Sequence, residues 1–179
     1  MARLGMVIDT RTCVGCMDCV VACKTENEVP DGYCRDWINM RVEGAMPDLR
    51  MTITSERCNH CDHPPCVSCC PTGASHVHSF GQIVLVEHEK CIGCKACLAS
   101  CPYGARFINP KGYADKCTFC IHRVEQGLDP ACVAVCPTRS MYFGDLDDTE
   151  SEVSRLIAGR KHFVLKPDAG TGPRVHYLE

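Results

Sequence analysis

Cysteine is the residue through which this chain can do chemistry: 18 of its 179 residues are Cys. Sixteen of them fall into four groups: Cys13, Cys16, Cys19 and Cys23; Cys58, Cys61, Cys66 and Cys70; Cys91, Cys94, Cys97 and Cys101; Cys117, Cys120, Cys132 and Cys136. Cys34 and Cys69 are left over. The first and third groups repeat the spacing C-x2-C-x2-C-x3-C. Three thiolates at that spacing line a tight loop that wraps one face of a compact metal centre. The fourth, about one helical turn further on, points away from that centre and serves another, so such groups work in pairs.

This is the spacing of the bacterial ferredoxin run, which binds cubic 4Fe–4S clusters, and four groups predict four 4Fe–4S clusters. Pro71, Pro102 and Pro137 follow the last cysteine of three groups, fixing φ where the chain must turn. Lys24 stands there in the first group, a departure from the pattern. Gly15 and Gly93 sit inside the first C-x2-C pair of groups one and three, where glycine permits φ > 0 and a close backbone approach to inorganic sulfide. Groups two and four are looser, but they end Cys66-x3-Cys70-Pro71 and Cys132-x3-Cys136-Pro137. Cys69 competes with Cys70 as a ligand; the x3 spacing and the following proline favour Cys70.

Other chemistries explain less. A disulfide scaffold accounts for the cysteine content but not for repeated C-x2-C pairs with Cys-Pro endings. Zinc sites use C-x2-C pairs but need no third cysteine two residues on. His60, His63 and His122 lie near group cysteines and read as solvated or hydrogen-bonding neighbours rather than ligands. Lys24, Lys95, Lys116, Arg123 and Arg139 adjoin the groups, where a cation favours the more negative reduced state; ordinary surface charge is the competing reading.

Bulk composition agrees. Aromatics are only 6% of residues, so a chain this rich in cysteine leans on disulfides or metal for its core. Each cluster with four thiolates carries about −2, so four of them move the formal charge from −3 to about −11. With 19 basic against 22 acidic residues and no basic run, nothing points to nucleic acid. No leader and no membrane span is expected, because a span needs roughly 20 mostly apolar residues.

The elements that position the cysteines read as short pieces of an α+β fold. Residues 5–9 read as a strand entering group one, and Cys23 lies on a short helix that ends before Pro30. Ile38, Met40 and Val42 alternate with polar residues, predicting a strand with one buried face, and Met51 and Ile53 suggest another. A hairpin is expected to turn at Phe80-Gly81 and return through Ile83–Val86. Residues 103–108 and 140–144 read as strands closing each unit. Ile121 to Gln126 reads as a helical turn stopped at Gly127. Thr149 and Glu152 form a capping-box pattern ahead of Val153, Leu156 and Ile157. The tail, 161–179, is expected to run extended and to need another surface to order it.

The chain resembles the four-cluster ferredoxin subunits of molybdopterin oxidoreductase complexes, nearest the iron–sulfur subunits of polysulfide, thiosulfate, tetrathionate and arsenate reductases. The likeness is carried by Met6-Val7-Ile8-Asp9 with the first group, Cys58-Asn59-His60-Cys61 through Cys70-Pro71-Thr72-Gly73-Ala74, and Lys116-Cys117-Thr118-Phe119-Cys120 through Cys136-Pro137-Thr138. Phe143-Gly144-Asp145-Leu146 and Leu165-Lys166-Pro167 also fit. The resemblance implies two nested ferredoxin-like units: 1–54 with 112–148 (groups one and four), and 55–111 (groups two and three). Residues 149–179 add a capped helix and an extended, partner-binding tail. It also implies the ligand sets: Cys13, Cys16, Cys19 and Cys136; Cys58, Cys61, Cys66 and Cys101; Cys91, Cys94, Cys97 and Cys70; Cys117, Cys120, Cys132 and Cys23.

Subunits of this kind are not catalytic. The resemblance implies a relay between a catalytic subunit holding a molybdenum or tungsten bis-pterin and an integral membrane subunit that handles quinone. The complex would be a respiratory polysulfide- or thiosulfate-type reductase. The chain would then be membrane-associated through its partner, on the periplasmic side by co-export. The alternative is a soluble, cytoplasmic polyferredoxin that shuttles electrons between soluble enzymes.

Overall fold

Residues 4–9 are buried without a break, which suits a strand covered on both faces. The computed structural model describes residues 2–179. In chain order its elements are β1 (Leu4–Asp9), α1 (Asp18–Glu26), β2 (Asp36–Glu43), β3 (Arg50–Arg57), α2 (Pro65–Ser68), β4 (Ser75–Val77), β5 (Val84–Val86), α3 (Ala96–Ser100), β6 (Phe107–Ile108), β7 (Ala114–Asp115), α4 (Ile121–Val124), α5 (Ala131–Ala134), β8 (Met141–Asp145), α6 (Glu152–Gly159), β9 (His162–Phe163) and β10 (Val175–Leu178). The fold is thus a mixture of short helices and strands.

The largest sheet has the order β8-β1-β10-β9. β1 runs antiparallel to β8, with Met6 opposite Phe143, and parallel to β10, with Met6 also opposite Val175. Three two-stranded hairpins complete the β structure: β2–β3, β4–β5 and β6–β7. The helices that carry cysteines meet in pairs, α1 against α5 and α2 against α3. The main core mixes Met6, Ile8, Ile83, Phe119 and Tyr177 with Cys19, Cys58, Cys117 and Cys132, so sulfur fills space that larger apolar side chains would otherwise take.

Four expectations need correction. The tail does not wait for a foreign surface: β10 lies beside β1 of its own chain, with Val175, Tyr177 and Leu178 fully buried. Arg174 anchors its entry, donating from Nε to Asp62 at 2.6 Å and from Nη1 to the Gln82 carbonyl at 2.8 Å. The alternation on β2 does not mark a buried face. Met40, Val42 and Met51 are 50%, 64% and 62% exposed, because beyond Ile53 the hairpin projects from the core, with only the Met40 methyl lying against Gly15 of the first cysteine loop. Only Phe107–Ile108 of residues 103–108 forms strand. The cap of α6 is Ser151 rather than Thr149, its hydroxyl accepting the Ser154 N–H at 3.2 Å.

Candidate iron–sulfur centres

Each cysteine loop is a run of left-handed turns. In groups one and three, Gly15 and Gly93 have φ of 69° and 66°, and Met17 and Lys95, one after the second cysteine, have 67° and 65°. Phe119 and Cys120 take φ of 52° and 50° in group four. Non-glycine residues rarely adopt this region. Their recurrence at matching places shows backbone bent to turn successive sulfurs to one side.

Four cavities result, each lined by four cysteines. Cys13, Cys16, Cys19 and Cys136 line the first. Cys23, Cys117, Cys120 and Cys132 line the second. Cys58, Cys61, Cys66 and Cys101 line the third. Cys70, Cys91, Cys94 and Cys97 line the fourth. Every set takes three cysteines from one group and the last cysteine of another. The remaining two line none of these cavities: Cys34 is exposed, and the Cys69 sulfur turns to Ser100 Oγ at 3.2 Å.

Buried side chains link neighbouring cavities, and the links run in one order. Between the first and second stands Arg57, which donates from Nη1 to Cys132 Sγ at 2.9 Å and from Nη2 to Ser55 Oγ. Ser55 Oγ lies 3.6 Å from Cys19 Sγ. Between the second and third, His60 stacks on Phe119 with centroids 3.8 Å apart, and Lys116 Nζ donates to the Cys117 carbonyl at 2.7 Å and to the Val84 carbonyl. Arg106 lines both the third and fourth, donating from Nη2 to Cys66 Sγ at 2.8 Å and to Ser75 Oγ at 2.9 Å.

Sulfur is also met by amide donors: the N–H of Ser75 reaches Cys70 at 3.3 Å, of Ala114 reaches Cys91 at 3.3 Å, of Phe119 reaches Cys117 at 3.4 Å and of Ser140 reaches Cys136 at 3.3 Å. Asn27 Nδ2 donates to Cys23 at 3.7 Å and Cys120 at 3.6 Å, and Arg35 holds its Oδ1 at 2.9 Å.

Burial dominates the thiol electrostatics. It pushes Cys61 and Cys132 up to about 11 and Cys117 up to about 12. Burial also pulls Cys70 and Cys136 upward, but hydrogen bonds from Ser75 and Thr72, and from Ser140 and Thr138, outweigh it and leave both below the ordinary thiol value. Gathering four thiolates round a buried cavity is costly unless a cationic core takes them as ligands.

The residues fit a 4Fe–4S cluster. Every cysteine is free, the sulfurs face N–H and guanidinium donors suited to thiolate, and the same three-plus-one cysteine set is repeated in all four cavities. Among the described residues no cluster of Cys, His, Asp or Glu is tight enough to grip a single ion, which a structural zinc site requires.

A family described as the 4Fe-4S dicluster domain matches residues 49–146. The protein belongs to this family. Full-length likeness runs through it as well. The chain is 40% identical to the arsenate respiratory reductase iron-sulfur subunit of Shewanella sp., over 98% of this chain and 96% of that one. It is 43% identical to one of the tetrathionate reductase subunits of Salmonella typhimurium, over 98% and 72%. It is 40% identical to one of the polysulfide reductase chains of Wolinella succinogenes, over 97% and 92%. This dicluster protein therefore carries 4Fe–4S clusters.

Of the cations flagged in the sequence, only Lys116 is buried among the cysteines, and burial lowers its pKa. Lys24 turns to the Pro30 and Tyr33 carbonyls, Arg123 to Glu26 and Asp129, and Lys95 and Arg139 are exposed. His63 and His122 are exposed, whereas His60 is fully buried, its Nδ1 accepting the Val84 N–H at 3.1 Å. Burial, then Lys116, holds His60 well below the usual histidine range, so the ring is neutral. Arg57, Arg106 and Asn27 were not foreseen. For Arg57 a signal existed: Ser55 and Arg57 share one face of a strand leading straight into Cys58.

Proposed function

We propose that this chain is the electron-conducting subunit of a respiratory reductase complex, with four 4Fe–4S clusters in the four cysteine-lined cavities. The observation that carries the reading is the row of four cavities, each lined by three cysteines of one group and the last of another, with buried side-chain contacts linking the first to the second, the second to the third and the third to the fourth. When bound, each cluster supplies a one-electron site. The chain's residues do the rest. Sixteen cysteines supply the ligands, amide and guanidinium donors set the charge each site tolerates, and Phe119, His60 and Met141 exclude water between sites. Like relatives named as iron–sulfur subunits, the chain is an electron-transfer subunit rather than a catalytic one.

The finer reading places the chain between a molybdopterin catalytic subunit and an integral membrane quinone-interacting subunit of a polysulfide- or thiosulfate-type reductase, on the periplasmic side by co-export. The names of relatives support a reductase partner. So does the exposed apolar surface beside the first cavity, formed by Val14, Met17, Met40, Val42 and Met51. The space a Gly15 side chain would take is held by the Met40 methyl, at 2.9 Å from an added Cβ, so hairpin and cavity are one surface. No helix among the described residues is long and apolar enough to cross a membrane, so attachment would run through the partner. The tail, held by its own chain, gives this reading no support.

The test is anaerobic purification of the chain with whatever accompanies it. About sixteen irons per chain, cubane signals in low-temperature magnetic resonance after reduction, and copurification of a molybdopterin subunit are expected. Far fewer irons, or zinc in their place, would overturn the cluster reading. A monomeric holoprotein with no partner would return the free polyferredoxin.

A further inference from the structure

Arg57 and Arg106 occupy equivalent stations in the two halves of the row. Each donates to the third cysteine of a looser group, Cys132 at 2.9 Å and Cys66 at 2.8 Å. Each also donates to a serine, Ser55 or Ser75, and is 8% exposed or less. Each faces two cavities: Arg57 reaches the first through Ser55 and Cys19 and the second directly, and Arg106 lines the third and fourth. Their charge balance differs. Asp36 Oδ2 stands 3.7 Å from Arg57 Nη2 and is equally buried. Arg106 has no carboxylate ion-pair partner among the described residues.

We propose that Arg57 and Arg106 are positioning residues that raise the reduction potentials of the sites they separate, first with second and third with fourth, and that Arg106 is the stronger because Asp36 offsets Arg57. The inference rests on the reading of four clusters. One electron arriving at a cavity adds one negative charge beside a guanidinium that cannot release its proton. No proton moves, and the attraction is strong because the pair is shielded from water. Reduction is therefore favoured at each site a guanidinium touches, most where no carboxylate competes.

The experiment is a redox titration of the whole purified holoprotein or complex, followed by low-temperature magnetic resonance, with signals assigned by one Cys→Ser variant per cavity. Arg106→Gln is expected to lower the reduction equilibrium constant at the third and fourth sites tenfold or more, 59 mV for one electron. Arg57→Gln should lower it at the first and second by a smaller factor, about threefold. Asp36→Asn, which leaves both arginines in place, should raise it at the first and second about threefold. Lysine at either position keeps the charge and should lose less than glutamine. If a glutamine variant sheds a cluster, the lysine and Asp36→Asn variants carry the test. Unmoved potentials at the flanking sites, equal shifts at all four, or lysine losing as much as glutamine would overturn the proposal. A wild-type protein without four cubane signals would instead overturn the reading beneath it.

Discussion

Gly93 lies so close to Gly112 that a Cβ on Gly93 would stand 2.6 Å from the Gly112 carbonyl oxygen. The contact clamps the loop of the fourth cavity against the turn between β6 and β7. Gly93→Ala meets two costs, a side chain at φ of 66° and a clash with backbone that has no rotamer to escape into. Gly104→Ala is the control, with φ of 62° and nothing within 4 Å. Gly93→Ala should destabilise the holoprotein by at least about 1 kcal/mol more than Gly104→Ala and lower its iron content. Equal thermal midpoints and equal iron would refute the clamp.

Single cysteine variants separate ligands from bystanders. Cys94→Ser should cost about four of about sixteen irons, and Cys34→Ser none. The adjacent pair is the sharper comparison, since Cys70 lines the fourth cavity while the Cys69 sulfur faces Ser100. Cys70→Ser should damage one cluster and Cys69→Ser leave all four. The reverse pattern in iron analysis would reassign the ligand.

What the sequence made legible was local. Cysteine spacing is set within at most 20 residues, from Cys117 to Cys136 in the longest group, so the groups read directly, as did β1 and the helix carrying Cys23. The misses were long-range. Arg57 meets Cys132 across 75 residues and Arg106 meets Cys66 across 40; the strand that leads from Arg57 into Cys58 hints at a sulfur neighbour, but nothing near either arginine says which distant cysteine it meets. Val175–Leu178 reads as the end of a polar tail because its partner, β1, lies at the opposite end of the chain. The alternation of Ile38, Met40 and Val42 was visible, but it encodes an apolar face and not what covers it.

The tail should therefore be part of the fold. Tyr177 is fully buried and its hydroxyl donates to the Ser55 carbonyl at 3.1 Å, tying β10 to the strand that carries Arg57. Tyr177→Phe should cost about 1 kcal/mol and Tyr177→Ala about 3–5 kcal/mol. Deletion of 175–179 should abolish stable folding. Urea denaturation of the isolated holoprotein measures all three, and a stable truncated protein would show the tail to be dispensable.

The hairpin should behave in the opposite way. Met40, Val42 and Met51 touch little within the chain, so replacing all three with serine should change its stability by only about 0.5 kcal/mol per site. The same change should strip the reductase partner from the purified complex. Full copurification of the triple variant would remove the hairpin from the interface.

Acidification should expose His176. Burial first, then His162 and Arg3, holds its pKa down to about 4, with Asp62 pulling weakly the other way. In the unfolded chain it titrates near about 6.5, so the unfolded state takes the proton first as pH falls. Its contribution is therefore complete above about 6.5 and lost progressively down to about 4, amounting to about 2 kcal/mol after allowance for partial exposure. Cluster loss in acid is common to wild type and variant, so the difference between them isolates this group. His176→Leu should lose less stability than wild type between pH 7.5 and pH 5, measured by urea midpoint. Parallel pH profiles would mean that His176 is protonated in the fold as readily as in the open chain.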